Sequence, residues 1–296
     1  MDNLILPSTM DTFLSLPGSL SLEPNQTVIG YDFTGKELYN ATMNSTHFVG
    51  CTFDRAQIIE SNLNTSKFTD CTFDHVMAND SVFDYATFEN CTFDNGCFTD
   101  SKFQYSVFQT FTATGANFEG ANFHSASMSW GRMSSFNKLA QFEGAVLTCL
   151  KAEYVDFSGV FSPRSDWSFS SLVSCQFRDA DLAGTQWDGV KLTNCDFKNA
   201  DLSNSTFMAT NLSGHDMQNC VLTSAKFHRC DFERVNLNYA TVTEAEFEDC
   251  NFACATVEES TGWSSANWSS SKMHVHDVKK EIKHAAKNEI NNRTRA

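Results

Sequence analysis

The sequence predicts an all-β parallel solenoid in which every turn has four sides of five residues. The tetrapeptide CTFD occurs at 51–54, 71–74 and 91–94, at intervals of twenty residues. Large, mostly apolar residues recur at every fifth position, and 22 of the 27 phenylalanines lie on this lattice. A period of five matches neither the α-helical period of 3.6 nor the strand period of two, so the chain must turn a corner about every five residues.

Two trains of centre residues, meaning the large residue of each five-residue unit, cover most of the chain. The first runs from Phe33 to Met133, with Ala78 and Ala113 as weak members, and the second runs from Phe142 to Val257. The residue two positions before each centre is mostly small, which predicts that both positions point into a narrow interior. If four sides close one coil, each centre stacks on the centre twenty positions later, at the strand spacing of about 4.8 Å.

The order of small, polar and large residues, as in CTFD, resembles the pentapeptide-repeat family, whose motif is commonly written A(D/N)LXX. The resemblance spans roughly residues 30–270 and implies a right-handed quadrilateral parallel β-helix. Such repeats specify architecture, so any functional site must be argued separately from the surface.

Breaks in the lattice divide the chain into three parts. Residues 1–29 hold three of the four prolines and no five-residue rhythm, and we expect a mobile leader. Residues 30–270 form the β-helix, interrupted near 134–167, where SSFNKLAQ is four residues too long for the old register and FSPRSDW contains the fourth proline. Near the end EESTG shifts the register by one, to Trp263. Residues 271–296 are predicted to form a C-terminal α-helix.

The eleven cysteines follow the lattice and not a ligand or disulfide pattern. Eight of them lie two positions before a centre: Cys51, Cys71, Cys91, Cys175, Cys195, Cys220, Cys230 and Cys250. Free cysteine behaves as a small buried apolar residue. An odd count and the absence of a CxxC pair speak against a disulfide framework or a zinc site. We expect these cysteines to be free thiols that pack in the interior of a protein folded in a reducing compartment.

Charge limits the possible partners. The chain has 21 Lys and Arg against 36 Asp and Glu, a formal net charge of -15. Such a surface repels phosphates, which argues against direct binding of nucleic acid or anionic membrane. No apolar run approaches the ~18–20 residues of a membrane span. An unidentified protein partner, or solubility alone, explains the acidity.

No catalytic, cofactor or metal site is predicted. The sequence has no Gly-rich phosphate loop, HExxH or GxSxG motif, so the prediction is a protein that is not an enzyme. His274, His276 and His284 lack a carboxylate or thiol at ligand spacing.

Candidate partner-binding residues come from two features. Asp54, Asp74 and Asp94 are predicted to form an outward ladder of carboxylates. Phe136, Lys138 and Arg164 lie in the predicted loops near 134–167, and loops on a rigid scaffold often carry binding functions. A simple repair of the register explains these loops equally well.

The C-terminal segment is basic, with seven basic and three acidic residues, a net charge of +4. The rest of the chain therefore carries a net charge of -19, since the formal total is -15. Val278, Ile282 and Ile290 fall at helical spacing. We expect this helix to cap the last coil, because a solenoid exposes its core at its ends. Homodimerisation through the same stripe is the alternative.

Two functions are compatible with this architecture. The Phe-rich, Cys-bearing repeats, such as SKFTDCTF, resemble the β-helices of type III secreted bacterial effectors. This implies a protein-binding module of the bacterial cytoplasm that is exported into a host cell without a cleaved signal peptide. The alternative is similarity to the quinolone-resistance pentapeptide proteins, which implies an acidic DNA mimic that binds a type II topoisomerase (gyrase) and protects it from inhibitors.

Overall fold

The computed structural model describes residues 4–15, 19–135, 138–269 and 271. It confirms the predicted fold class, since the described residues wind as parallel β-solenoid coils, about 13 turns in all. Two compact units follow one another, Met1–Asp156 and Phe157–Ala296.

The first unit winds in four-sided coils, whose sides we call faces I to IV in chain order. In one coil the centre residues of these faces are Phe48, Phe53, Ile58 and Leu63, all of them fully buried. Face I carries parallel strands that stack in register, and Phe48, for example, pairs with Phe68. The strands of this face are β1 (Leu4–Ile5), β2 (Thr27–Ile29), β3 (His47–Val49), β4 (Lys67–Thr69), β5 (Thr87–Thr92), β6 (Val107–Thr112), β7 (Ser127–Arg132) and β10 (Lys151–Glu153).

Each corner is formed by the residue two positions after a centre. This residue has a positive φ, for example 57° at Arg55 and 58° at Thr65. Left-handed backbone is costly for residues with a Cβ atom. The corner amides offset this cost by bonding to the next coil, as the Arg55 amide does to the Asp74 carbonyl at 2.9 Å.

Stacked aromatic rings fill the interior of the first unit. Phe33, Phe53 and Phe73 on face II have ring centroids 4.5 and 4.8 Å apart, with nearly parallel planes. The stack on face I meets this one edge to face, with Phe48 and Phe53 at 5.3 Å. Burying each ring contributes about 1.5–3 kcal/mol, which makes this column the main source of stability.

The weak centres of the sequence are compensated by their neighbours. Beside the small centre Ala113, Phe111 occupies the position where a small residue is usual, and it is 5% exposed. Gly131 lies directly above Phe111, because the two residues pair in register. A Cβ atom at Gly131 would collide with the Phe111 ring. Large and small residues have exchanged places here, so the interior stays filled.

The N-terminal part of the chain differs from the predicted mobile leader. β1 pairs in parallel with β2, and helix α1 (Pro7–Ser15) follows it. Ile5 and Met10 are buried, and the Tyr31 hydroxyl donates to the Asp11 carboxylate at 2.6 Å. These residues therefore cover the apolar end of the first coil, which the five-residue rhythm alone does not reveal.

The interruption is shorter than the predicted span 134–167. It consists of a hairpin formed by β8 (Ser134–Ser135) and β9 (Lys138–Leu139), which pair antiparallel. The four extra residues appear as an offset, because Ser127 pairs with Lys151 and not with the residue twenty positions later.

Residues 161–167 form a regular coil and not a loop, so that part of the prediction is wrong. Ser162 occupies the centre position and is fully buried. Pro163 fits because the amide at this position is not used by the main-chain ladder. In the next coil the equivalent amide, that of Ala183, donates to the Asp181 side chain instead.

The second unit repeats the four-sided pattern. Its strands are β11 (Ser171–Val173), which pairs with β12 (Lys191–Thr193), and β13 (Thr206–Met208), β14 (Lys226–His228), β15 (Glu246–Glu248) and β16 (Asn267–Ser269), which stack in that order. Phe247 pairs with Trp268, a separation of 21 residues that confirms the predicted shift by one. The predicted helix at 271–296 lies outside the described residues, apart from Ser271.

Candidate functional site

The three CTFD copies form a column on face II of the first unit, and their carboxylates are hydrogen-bonded. Asp54 Oδ1 accepts the Thr72 hydroxyl at 2.6 Å and the Asp74 amide at 3.1 Å. Asp74 Oδ1 accepts the Thr92 hydroxyl and the Asp94 amide in the same way, at 2.7 and 2.9 Å. The aspartates are half-buried, and each commits one carboxylate oxygen to the next coil, a role that the predicted outward ladder does not include. CTFD recurs because its threonine and aspartate bond from coil to coil.

The same problem is solved within a single coil elsewhere in the first unit and also in the second unit. There an aspartate one position before the centre accepts the amide two residues later in its own coil, as Asp196 does from Lys198 and Asp201 from Ser203, both at 2.9 Å. In the CTFD coils that position is threonine, so the amide needs an acceptor from the coil below. Asp54, Asp74 and Asp94 supply it through Oδ1. No described residue donates to Oδ2 of these three side chains, which leaves one oxygen of each for a partner.

The Asp column leads to the hairpin. The Thr114 amide donates to Asp94 at 2.8 Å, and Ser134, the first residue of β8, is the next residue at this position on face II. The structure therefore places the carboxylates and the hairpin along one edge of the first unit. Lys138 belongs to β9 of this hairpin, whereas Phe136 lies outside the described residues.

Arg164 belongs to the second unit and not to the unit that carries this edge. Arg164 is an exposed corner residue of a regular coil in the second unit, with φ 59°. Val278, Ile282 and Ile290 lie outside the described residues, so neither the capping nor the dimer prediction is tested.

The buried thiols are hydrogen-bond donors as well as packing groups. Cys71 Sγ donates to the Phe48 carbonyl oxygen at 3.5 Å, and Cys51 Sγ donates to that of Val28 at 3.5 Å. Serine does the same at equivalent positions, since Ser66 Oγ donates to the Met43 carbonyl at 2.8 Å. The hydrogen bond with Cys71 and burial raise the pKa of the Cys51 thiol well above its usual range. A thiol whose pKa is raised is a poor nucleophile, so Cys51 serves packing and hydrogen bonding.

His215 occupies one of these small-residue positions and is 7% exposed. Its Nδ1 lies 2.9 Å from the Leu212 carbonyl oxygen, whereas Nε2 is buried without a hydrogen-bond partner. Within the described part of the chain, no three His, Cys, Asp or Glu side chains are grouped so that they could hold a metal ion.

Two exposed aromatic pairs flank face I of the first unit, and the sequence prediction missed them. Tyr85 and Tyr105 stack at one corner with ring centroids 4.9 Å apart, and Trp130 and Tyr154 stack at the other with centroids 4.4 Å apart. All four are corner residues with positive φ. Their separations of 20 and 24 residues match the coil length, which is the signal that identifies such pairs.

Among the residues that the structure describes, no helix has the length and apolar character needed to cross a membrane.

A search of curated protein sequences gave no match. Solved structures that match this chain include HetL, a pentapeptide repeat protein involved in heterocyst differentiation regulation from the cyanobacterium Nostoc. It is 14% identical, the match covers 82% of this chain and 93% of HetL, and the TM-score is 0.35. Full-length QnrB1, a plasmid-mediated fluoroquinolone resistance protein, is 18% identical over 90% of this chain and 99% of its own, with a TM-score of 0.23.

The family comparison covers more than half of the sequence. The model described as pentapeptide repeats matches in eight copies, over residues 37–74, 102–137, 170–207, 209–238, 216–253 and 230–260. With its five-residue lattice, its four-sided coils and these matches, the chain belongs to the pentapeptide-repeat family.

Proposed function

We propose that this chain is a non-catalytic protein-binding repeat protein. Its partner contacts the edge of the first unit that is formed by the Asp54–Asp74–Asp94 column and the paired strands β8 and β9. The observation that carries this proposal is the continuity of that edge: carboxylate oxygens repeat from coil to coil and lead directly to the one irregular feature of the described coils between 28 and 156.

The interior of the solenoid is filled with side chains, so a partner can bind only to its outer surface. The centres of these coils are stacked rings and aliphatic side chains, and the thiols between them donate to backbone carbonyls. Each aspartate of the column has one oxygen committed to the next coil, which fixes the direction of the other. A rigid row of like charges about 4.8 Å apart attracts a basic protein surface and speeds association at low salt.

The experiment compares two triple variants with equal charge change. Asp54→Asn, Asp74→Asn and Asp94→Asn together keep an acceptor oxygen for the Thr hydroxyl and the amide but remove the charge. The control carries Asp181→Asn, Asp201→Asn and Asp231→Asn in the second unit. We expect the first variant alone to lose a partner recovered by affinity capture, with weaker capture at high salt. Equal capture by both variants would count against this edge.

The preferred role is that of an effector-type module that binds its partner after export from the bacterial cytoplasm. The export part has less support than the sequence indicated, since residues 4–15 pack against the first coil instead of forming a free leader. A translocation reporter fused to the C-terminus of the full chain tests it. Signal confined to the producing cell would remove the export role and leave the binding role in place.

A second candidate is a DNA mimic that occupies the DNA-binding surface of a type II topoisomerase. The regular carboxylate column favours it, because negative charges at a fixed interval suit a surface built for phosphates. Gyrase supercoiling is measured with inhibitor and with added protein at two salt concentrations. Salt-sensitive protection that the Asp54/Asp74/Asp94 triple variant lacks is the expected result, and no effect at either concentration eliminates this candidate.

Homodimerisation through Val278, Ile282 and Ile290 remains a separate proposal. Ile282→Asp, studied in the full chain, should abolish any dimer that uses this stripe.

A further inference from the structure

Face I of the first unit has an outer surface unlike the rest of this acidic chain. We call the outward residues of β5, β6, β7 and β10, together with the corners at both ends of these strands, the aromatic-edged face. Four aromatic side chains protrude from its corners: Tyr85 is 55% exposed, Tyr105 46%, Trp130 60% and Tyr154 48%. Tyr and Trp are enriched at protein interfaces relative to the rest of the protein surface.

The charges on this face cancel. Glu89 of β5 bonds Lys67 of the adjoining strand β4 at 2.9 Å, and β10 presents Lys151 and Glu153 on the same side. On face I, the outward residues of β6 and β7 are uncharged: Val107, Gln109, Ser127 and Ser129. Arg132, the last residue of β7, is exposed but already belongs to face II, next to the centre Met133. On a chain with a formal net charge of -15, two copies repel one another least at such a surface.

The protruding and small corner residues alternate in a way that makes the face complementary to itself. At one corner Tyr85 and Tyr105 precede β5 and β6, and the small residues Ser125 and Cys149 precede β7 and β10. At the other corner the order is reversed. There Asn90 and Thr110 belong to β5 and β6, whereas Trp130 belongs to β7 and Tyr154 follows β10.

We propose that a second copy of this chain docks on the aromatic-edged face. The two-fold axis lies in the plane of contact, parallel to the strands and between β6 and β7, so that β5 of one copy faces β10 of the other. Tyr85 and Tyr105 then pack over Cys149 and Ser125 of the partner subunit. By the same rotation, Trp130 and Tyr154 pack over Thr110 and Asn90 of the partner subunit. A contact of this kind uses the same patch on both copies, as two-fold symmetric dimers require.

The size of the contact sets the expected affinity. Four strands about 4.8 Å apart and five residues long give a flat area of roughly 300 Å², to which the aromatic side chains add. Stable dimers bury about 800 Å² per partner. We therefore expect a reversible dimer with a dissociation constant in the range of roughly 10 µM or weaker. Because the face is neutral, added salt should not dissociate it.

Sedimentation velocity of the full chain between ~1 and ~500 µM tests the proposal. The wild type should shift from monomer to dimer, and the double variant Tyr105→Ser, Trp130→Ser should stay monomeric. Serine suits these corners, since Ser45 and Ser125 hold the same conformation with φ 55° and 58°. The control is Tyr239→Ser, a 49% exposed corner residue of the second unit, which should dimerise like the wild type.

Cross-linking tests the axis. A photoreactive p-benzoylphenylalanine replaces Tyr105 in one chain, which is mixed with isotope-labelled wild type. The label separates adducts between copies from adducts within one copy, where His124 already contacts Tyr105. Peptide mass spectrometry should find the residue joined to the labelled partner's corner around Ser125 and Cys149. A wild type that stays monomeric over the whole concentration range overturns the proposal. So does a dimer that survives in the double variant, one that Ile282→Asp alone abolishes, or adducts outside this corner.

Discussion

Asp54 Oδ1 accepts the backbone amide of Asp74 at 3.1 Å. Two carboxylates that look like a repelling pair in the sequence are thus connected through the main chain. The same contact recurs between Asp74 and Asp94 at 2.9 Å. The column is therefore part of the solenoid's hydrogen bonding, and its stability and binding roles can be separated by substitution.

Asp74 separates the two roles because asparagine keeps its acceptor oxygen. Asp74→Ala leaves the Thr92 hydroxyl and the Asp94 amide without their partner and should lower the free energy of unfolding by about 1–3 kcal/mol. Asp74→Asn should stay within about 0.5 kcal/mol of the wild type, as an ordinary surface change does. Urea denaturation measures both, with Asp80→Asn at an exposed corner as the control. Equal losses for Ala and Asn would show that charge, and not hydrogen bonding, holds the column.

Cys71 tests whether the buried thiols serve as donors. Cys71→Ser should hardly change the free energy of unfolding, because Ser66, on the preceding side of the coil, already donates to the equivalent carbonyl. Cys71→Ala removes the donor and should cost about 1 kcal/mol. Cys71→Val adds volume between Cys51 and Cys91 and should cost about 1–3 kcal/mol. Free energies of unfolding of the three variants test this. If the serine variant were less stable than the alanine variant, Cys71 would act only as an apolar packing group.

Gly131 and Phe111 are expected to be coupled. Gly131→Ala places a methyl group against the Phe111 ring and should cost about 1–3 kcal/mol. In the background Phe111→Ala the same change should cost far less, because the ring is gone. A double-mutant cycle measures the coupling. If the losses of unfolding free energy were additive, the glycine at 131 would be needed for its backbone conformation and not for the space taken by the Phe111 ring.

Tyr31 makes the N-terminal cap sensitive to alkaline pH. Burial and the hydrogen bond to Asp11 raise the pKa of Tyr31 to about 12, from an ordinary value of 10.0. Between these values the unfolded chain has lost the phenolic proton and the folded chain keeps it, so the stability from this group falls as pH rises from about 10 to 12. Urea midpoints of the wild type should therefore drop more steeply over this range than those of Tyr31→Phe. Parallel pH profiles would exclude Tyr31 as the sensitive group.

Sequence reasoning recovers the lattice well because the fold is nearly one-dimensional. Every centre meets the residue one coil away, so Phe53 and Phe73 can be placed in one stack from their spacing alone. The four-residue and one-residue register shifts follow from the same counting, and pairing of Ser127 with Lys151 and of Phe247 with Trp268 confirms both. A prediction that depends only on spacing needs no knowledge of side-chain geometry.

Predictions about single positions fared worse where they used residue type without its neighbours. Pro163 indicated a loop, yet its position in the coil spares the main-chain ladder. Ser162 occupies a centre position, but its small polar side chain does not identify it as one in the sequence. Proline-rich sequence before Pro24 indicated a free leader, yet Met10 is fully buried against the first coil.

The amino-acid sequence by itself determined the period, the inward-facing positions and the family of this protein, because burial of one large residue in five is a property of the chain read in order. The tertiary structure alone decided what the outward residues do. Whether Asp54 is a free charge or an acceptor depends on which donors the coil above presents. Whether Tyr85 and Trp130 lie on one surface depends on how the corners stack. Both are relations between coils, and a single coil contains neither.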